Sequence, residues 1–186
     1  MTQINRRIFM ASGLSLTLAT PALARKAWVL PEEFLPTQIR LRTKLPEGEI
    51  HVDPGSYRLY FTQEKRQAVR FVVGIGRREQ YERGTFTVGA KKEWPSWRPT
   101  DEMIERDPGA YKKFEDGMPG GPKNPLGARA LYLFDDKGRD TFLRIHGTPQ
   151  PWTINSAVSN GCVRLTNDHV ALLYDMVPIG TKVVLH

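Results

Sequence analysis

The only cysteine in this chain of 186 residues is Cys162, which follows a glycine in the segment Ser159-Asn160-Gly161-Cys162. A single cysteine cannot close a disulfide within its own chain, so its thiol is free or is joined to another molecule. Two interpretations of a free thiol are open at this point, namely a buried, inert side chain and a reactive nucleophile. A nucleophilic cysteine needs a neighbouring base that takes its proton, and histidine is the usual one.

Four histidines are candidates for this base: His51, His146, His169 and His186. His146 is favoured because it ends a predicted strand, 142–146, in which Arg144 and His146 point to the same side. Gly147 follows directly and lets the chain turn away at the strand end. Residues 147–161 contain two prolines and several small polar residues, so this segment is able to fold back and bring His146 to Cys162. A purely structural histidine is the alternative.

Short strands and one helix are predicted to position these residues. The candidate strands are 49–52, 57–61, 69–75, 86–88, 130–134, 142–146 and 182–185. Short strands at this spacing favour a sandwich or a barrel. The helix is predicted over 168–177, with Asn167 or Thr166 as its cap and with Val170 and Leu173 on its apolar face. His169, in its first turn, is expected to be a surface residue.

The long segment 92–127 shows no periodicity and contains four aromatic residues, Trp94, Trp97, Tyr111 and Phe114. Aromatic side chains need surface to bury against, which argues against a disordered loop. We therefore expect either a lid over a cleft or a loop packed on the sheet. Within this segment, Thr100 is predicted to cap one short helical turn and Asp107 to begin another.

The chain is predicted to divide into an export signal, residues 1–24, an extended linker or strap, 25–48, and one catalytic domain, 49–186. Arg6 and Arg7, the uncharged run 8–19 and the small residues up to Ala24 are typical of an export signal. The paired arginines favour the twin-arginine route to the periplasm, and an ordinary secretory signal is the alternative. The net charge of +7 suits an anionic partner at the cell envelope or simply solubility, and nucleic acid is not an expected partner outside the cytoplasm.

Several blocks of the sequence resemble the L,D-transpeptidase catalytic domain, also called YkuD. His146-Gly147-Thr148 is followed, sixteen residues after the histidine, by Cys162 in the segment 159–165, SNGCVRL. The blocks VVGIGR (72–77), GTFTVGAK (84–91), NPLGARALYL (124–133) and GTKVVL (180–185) are similar to that family as well. The sequence differs from the commonest pattern at Asn160, where many members have a second histidine, and Arg164 follows the branch of the family with arginine at that position.

The resemblance implies a mostly β fold, an L,D-transpeptidase-like β-sandwich with a few short helices and a long lid-like loop. It implies that Cys162 is the nucleophile, that His146 is its base and that the backbone carbonyl of Gly147 orients the imidazole. An imidazole near the thiol is expected to raise its reactive, ionised fraction. Gly161 is expected to let the backbone approach the substrate, so that the Cys162 N–H and its neighbours stabilise an oxyanion. No metal or cofactor is expected.

The implied reaction belongs to peptidoglycan biosynthesis and, through it, to cell-wall biogenesis and cell shape. Cys162 would attack a tetrapeptide stem, release the terminal D-alanine and pass the acyl group to an amine of a second stem or of an envelope protein. A hydrolase on the same scaffold, an L,D-carboxypeptidase or amidase, is the alternative, and a non-catalytic peptidoglycan-binding module is a third. The implied partners are peptidoglycan stem peptides and carbapenem-type inhibitors. Candidate substrate-binding residues are Arg164, Ser159, Asn160, Thr148 and Arg144, with loop stiffening as the alternative for Ser159 and Thr148 and a structural ion pair for Arg144.

Overall fold

The structure, a computed structural model, describes residues 28–186, so the predicted export signal lies outside the described residues. The strands are β1 (Thr37–Arg40), β2 (Ile50–Asp53), β3 (Arg58–Thr62), β4 (Gln67–Val72), β5 (Ile75–Gly76), β6 (Gly84–Glu93), β7 (Arg129–Phe134), β8 (Asp140–His146), β9 (Ala157–Ser159), β10 (Val163–Arg164) and β11 (Lys182–Leu185). The α-helices are α1 (Asp101–Arg106), α2 (Pro108–Tyr111) and α3 (Asn167–Met176). No helix within residues 28–186 is long and apolar enough to cross a membrane.

One mixed sheet of nine strands, in the order β1-β4-β3-β2-β11-β6-β7-β8-β10, forms most of the fold, and β5 pairs with β9 in a second, small sheet. Buried residues from both ends of the large sheet, such as Leu59 on β3 and Ile145 on β8, belong to one hydrophobic core. The two ends of the sheet therefore enclose a shared core, as the layers of a sandwich do. The prediction of a mostly β fold with a few short helices is confirmed. Within the predicted linker or strap, Thr37–Arg40 forms β1, which pairs antiparallel with β4 at the sheet edge.

The predicted strand 69–75 is wrong at its end, because the chain changes partners after β4. The Gly74 N–H donates to the Arg164 carbonyl at 2.8 Å, and β5 then pairs with β9. The apolar alternation continues through this change, so periodicity alone did not reveal it. A Cβ on Gly76 would lie 2.7 Å from the Gly161 Cα, so glycine is needed where β5 passes the loop that carries Cys162.

The segment 92–127 is not a plain loop, since it contains the end of β6 and both short helices. The Thr100 side chain accepts a hydrogen bond from the Met103 N–H at the start of α1, and Asp107 accepts one from the Ala110 N–H at the start of α2. Both predicted caps are confirmed. The Trp97 ring packs against Tyr111 and Phe114, with centroids 6.4 and 5.8 Å apart, so the aromatic residues of this segment bury against one another.

Helix α3 packs on the sheet through Val170 and Leu173, both fully buried. Thr166 is its cap, with the hydroxyl accepting from the His169 N–H at 3.2 Å. The prediction that His169 is a surface residue is wrong, because its side chain is only 6% exposed and lies 6.4 Å from the Phe71 ring. A first turn that packs against the sheet has no exposed side at that position.

Candidate active site

Two adjacent parallel strands, β8 and β10, bring the predicted nucleophile and base to one cleft. The register places Arg164 opposite His146, so Cys162 and Arg144, each two residues earlier, lie side by side. Since side chains alternate along a strand, these four residues face the same side. All four line a cleft of about 730 Å³. The geometry favours the catalytic interpretation of Cys162 over the inert one, because the thiol is partly exposed at this cleft.

The His146 ring is buried and is oriented by the backbone. Its Nδ1 lies 2.6 Å from the Gly147 carbonyl oxygen, the atom that the family resemblance implied. A carbonyl only accepts hydrogen bonds, so Nδ1 carries the proton in the neutral ring and Nε2 has a free lone pair. The arrangement leaves Nε2 able to take a proton.

The corner that holds the Gly147 carbonyl is formed by two glycines and the first residue of α3. The Gly147 N–H donates to the Arg129 carbonyl at 3.0 Å, and the Asn167 side chain accepts from the Ala128 N–H at 2.9 Å. A Cβ on Gly127 or on Gly147 would collide with the Asn167 amide oxygen. Asn167, one of two predicted caps, therefore supports the corner at Gly147, while Thr166 caps the helix.

The electrostatics of the pair favour a neutral thiol beside a neutral imidazole. Burial lowers the pKa of His146 to about 4, and the charges of Arg164 and Arg144 act in the same direction, whereas the hydrogen bond to Gly147 opposes them. Burial also raises the pKa of Cys162, against the effect of the Arg144 backbone N–H and the nearby guanidinium groups. The expected increase in resting thiolate is therefore not seen, because desolvation disfavours both charged forms. The proton would have to move as the sulfur attacks.

The loop before the thiol has a fixed shape. Gly161 has φ +119°, a conformation that other residues rarely adopt, and a Cβ there would lie 2.9 Å from the Gln80 carbonyl oxygen. The Ser159 hydroxyl donates to the Cys162 carbonyl at 2.6 Å, which closes the loop on itself. Cys162 directly precedes β10, which begins at Val163. This arrangement favours loop stiffening as the role of Ser159 and leaves Cys162 in the lining of the cleft.

Arg144 lines the cleft, but a carboxylate already holds its guanidinium. Asp140 accepts two hydrogen bonds from it, at 2.6 and 2.8 Å, and the guanidinium lies 4.1 Å above the centre of the Tyr132 ring. This geometry matches the structural ion pair that we considered as the alternative. Nothing in the sequence around Asp140 indicates this role, because an acidic residue at the start of a strand looks like any solvated one.

The other candidates differ in their access to the cleft. Arg164 donates to the Thr153 hydroxyl at 3.0 Å, and its buried Nε has no partner among residues 28–186, so the guanidinium retains capacity to bind an anion. Thr148 is buried, and its hydroxyl accepts from the Gln150 N–H at 3.1 Å, away from the cleft lining. Thr148 thus stiffens the turn after His146.

Asn160 connects the Cys162 loop to residues 92–127, which form one wall of the cleft and are called the lid segment below. Its amide N–H donates to the Tyr111 hydroxyl at 2.9 Å, and its amide oxygen accepts from Arg106 at 3.0 Å. Arg106 and Tyr111 both line the cleft. Sequence reasoning missed Arg106, because a charged residue in a short helix looks the same whether it faces solvent or a site.

The family model for the L,D-transpeptidase catalytic domain, YkuD, matches residues 47–185. The chain belongs to this L,D-transpeptidase family. It is 36% identical, over 152 residues, to the probable L,D-transpeptidase ErfK/SrfK of Escherichia coli K12, a match that covers 80% of this chain and 47% of that protein. The chain therefore spans about half the length of the curated relatives it matches first.

Two solved structures share the fold of this L,D-transpeptidase family member. A Brucella melitensis protein described as a probable carnitine operon oxidoreductase has 46% identity and a TM-score of 0.58, over 84% of this chain and 96% of that one. L,D-transpeptidase 3 of Mycobacterium tuberculosis, in complex with a faropenem-derived adduct, has 17% identity and a TM-score of 0.53, over 74% of this chain and 59% of that one. At 17% identity, the second likeness supports the fold alone.

Proposed function

We propose that this protein is a cysteine L,D-transpeptidase that acts on peptidoglycan tetrapeptide stems in the periplasm. The observation that carries the proposal is the pairing of a partly exposed thiol, Cys162, with an imidazole whose tautomer is fixed by the Gly147 carbonyl, in one cleft. The same two residues match the family's catalytic motif. The periplasmic setting rests on the export signal that the sequence predicts for residues 1–24.

Acylation begins when Cys162 Sγ attacks the carbonyl carbon of the third, diamino-acid residue while its proton passes to His146 Nε2. A new C–S bond forms and the carbonyl oxygen becomes an oxyanion, which the backbone N–H of Cys162 would stabilise. Collapse of this intermediate breaks the peptide C–N bond. The leaving D-alanine takes the proton from His146, and a thioester remains on Cys162.

The thioester is resolved by an amine in the second half of the reaction. Neutral His146 accepts a proton from the attacking amine as a new amide bond forms, the C–S bond breaks, and the departing sulfur takes that proton from His146, which restores the Cys162 thiol. With an amine of a second stem the product is a 3-3 cross-link, and with an envelope protein it is a protein attached to peptidoglycan. Attack by water gives a tripeptide stem instead, which is the carboxypeptidase reaction on the same scaffold.

Product masses test this proposal directly. We expect the mature protein, incubated with a disaccharide tetrapeptide, to produce a dimer that has lost one D-alanine. A shortened monomer without dimer would identify a hydrolase, and unchanged substrate would identify a binding module. The Cys162→Ala protein serves as the control, since it keeps the cleft but lacks the nucleophile.

The pH dependence of acylation is expected to follow the low pKa of His146, about 4. Below that pKa the ring is protonated and cannot take the thiol proton, so kcat/KM falls as the pH drops through about 4. At pH 5.5 an ordinary imidazole would be roughly nine-tenths protonated, whereas His146 stays mostly neutral. We therefore expect acylation by faropenem at pH 5.5 to stay near its plateau, with circular dichroism checking the fold at each pH. An acidic limb centred near 6.5 would contradict this assignment.

A further inference from the structure

The arginines that line the cleft differ in how their charge is balanced. Arg144 is paired with Asp140, and Arg98 with Asp101 at 2.9 Å. Arg106, at the end of α1, and Arg164, on β10, form no salt bridge within residues 28–186, although both line the same cleft as Cys162. Arg164 is half-buried on the strand that follows the thiol, whereas Arg106 is exposed on the opposite wall. The lid wall of the cleft therefore presents a positive charge that no carboxylate of the described chain neutralises.

Neutral groups hold the Arg106 guanidinium in place. Its Nη2 donates to the Asn160 amide oxygen at 3.0 Å. With the Gln80 amide in the orientation that suits its neighbours, Arg106 Nη1 donates to the Gln80 oxygen at 3.2 Å, and the Gln80 nitrogen donates to the Ser159 carbonyl at 3.3 Å. An arginine fixed by amide oxygens keeps its full charge and loses little further freedom when it binds an anion.

Asn160 is the centre of this arrangement and lies two residues before Cys162. Its amide oxygen accepts from Arg106, and its nitrogen donates to the Tyr111 hydroxyl, so one side chain ties both lid helices to the catalytic loop. A carboxamide stays neutral at every pH. The histidine found here in many family members would repel Arg106 whenever its ring was protonated. Asn160 therefore suits a neighbouring arginine that must keep one orientation.

We propose that Arg106 binds the terminal carboxylate of the donor peptide and that Asn160 positions it. This inference rests on the proposed function, because the donor is a stem that ends in a free D-amino acid carboxylate. A peptide whose terminal carboxylate is held beside the Asn160–Cys162 loop presents its last peptide bond to the sulfur. The Arg106 contact would thus restrict the enzyme to removal of one terminal residue.

Two thiol reagents of similar size test whether the positive charge of Arg106 acts at Cys162, and they do so without any turnover. Iodoacetate carries a carboxylate and iodoacetamide does not, so the ratio of their alkylation rates at Cys162 reports the local positive potential. We expect Arg106→Gln to lower this ratio about three- to tenfold while the iodoacetamide rate stays unchanged. Arg98→Gln, which removes the same charge from the same segment, is the matched control and should change the ratio less than about twofold. An unchanged ratio in Arg106→Gln would overturn the proposal.

Binding to the Cys162→Ala protein then tests which carboxylate of the donor peptide Arg106 contacts. Calorimetry would compare a tetrapeptide stem, the same stem with a C-terminal amide, and a stem amidated at the diamino-acid carboxyl group. We expect Arg106→Gln to weaken binding of the first and third ligands about 10- to 100-fold and to leave the C-terminal amide unaffected.

The possible results separate the two proposals. An Arg106 effect confined to ligands that keep the diamino-acid carboxylate would overturn the terminal assignment, as would equal effects on all three ligands. The two proposals also differ in a second way. If ligand binding depended on Arg106 and on the carboxylate, but the wild-type protein formed no acyl-enzyme, the transpeptidase function would be contradicted and the anion site would be supported.

Discussion

Replacing Cys162 with alanine is expected to abolish both turnover of tetrapeptide stems and covalent labelling by faropenem. The reason is that Cys162 is the only thiol in the sequence and lies at the cleft, so no other side chain can form the thioester. Intact-mass spectrometry after incubation with faropenem measures the adduct, and product analysis measures turnover. We expect neither signal above background.

The fold of the Cys162→Ala protein must be shown to be intact for this result to count. Cys162 is partly exposed, so the change leaves only a small cavity and should shift the melting temperature by a few degrees at most. Full activity in a folded Cys162→Ala protein would refute the covalent mechanism. An adduct mapped by peptide sequencing to another residue would refute it as well.

Replacing His146 with alanine is expected to lower the rate of acylation at neutral pH by roughly 10² to 10⁴. Because burial raises the pKa of Cys162, little thiolate is present at rest and the reaction depends on proton transfer to the ring. The measurement is the second-order rate of faropenem adduct formation at pH 7.

High pH provides a second readout that a merely structural role of His146 would not produce. When the medium itself ionises Cys162, the base is no longer needed, so the rates of iodoacetamide alkylation of His146→Ala and wild type should converge as the pH rises. A constant deficit at all pH values would point to a misfolded site rather than a missing base. An acylation rate within tenfold of wild type at pH 7 would show that His146 is not the base.

The meeting of His146 and Cys162 at one cleft was predictable because its signals are local. The glycine after His146 and the glycine before Cys162 mark places where the chain must turn, and the spacing between the two residues carries the family resemblance. The structure supplies what spacing could not, namely that β8 and β10 are adjacent parallel strands with Arg164 opposite His146. Register between strands depends on tertiary packing and is not written in either segment alone.

The parts of the site that sequence reasoning missed depend on contacts between distant segments. Arg106 and Asn160 are separated by 54 residues and meet only because the lid folds back over the Cys162 loop. The change of partner at Gly74 was missed for the same reason, since the apolar alternation does not record which strand accepts the hydrogen bonds. The Asp140–Arg144 pair is an exception, because the two residues are only four positions apart on β8, and it leaves Arg144 less freedom to bind substrate than its position suggested.

The group that orients the His146 imidazole is a main-chain carbonyl, so this contact tolerates mutation differently from one made by a side chain. No codon change can delete the Gly147 oxygen, whereas a carboxylate in the same role could be lost in a single step. Inactivation by this route must instead displace the corner, through Gly127, Gly147 or the Asn167 amide that fills the space beside them. The mutations that can disturb the orientation of the imidazole are thus confined to three crowded positions. Two are glycines near the ends of strands, and the third is an asparagine at the start of a helix.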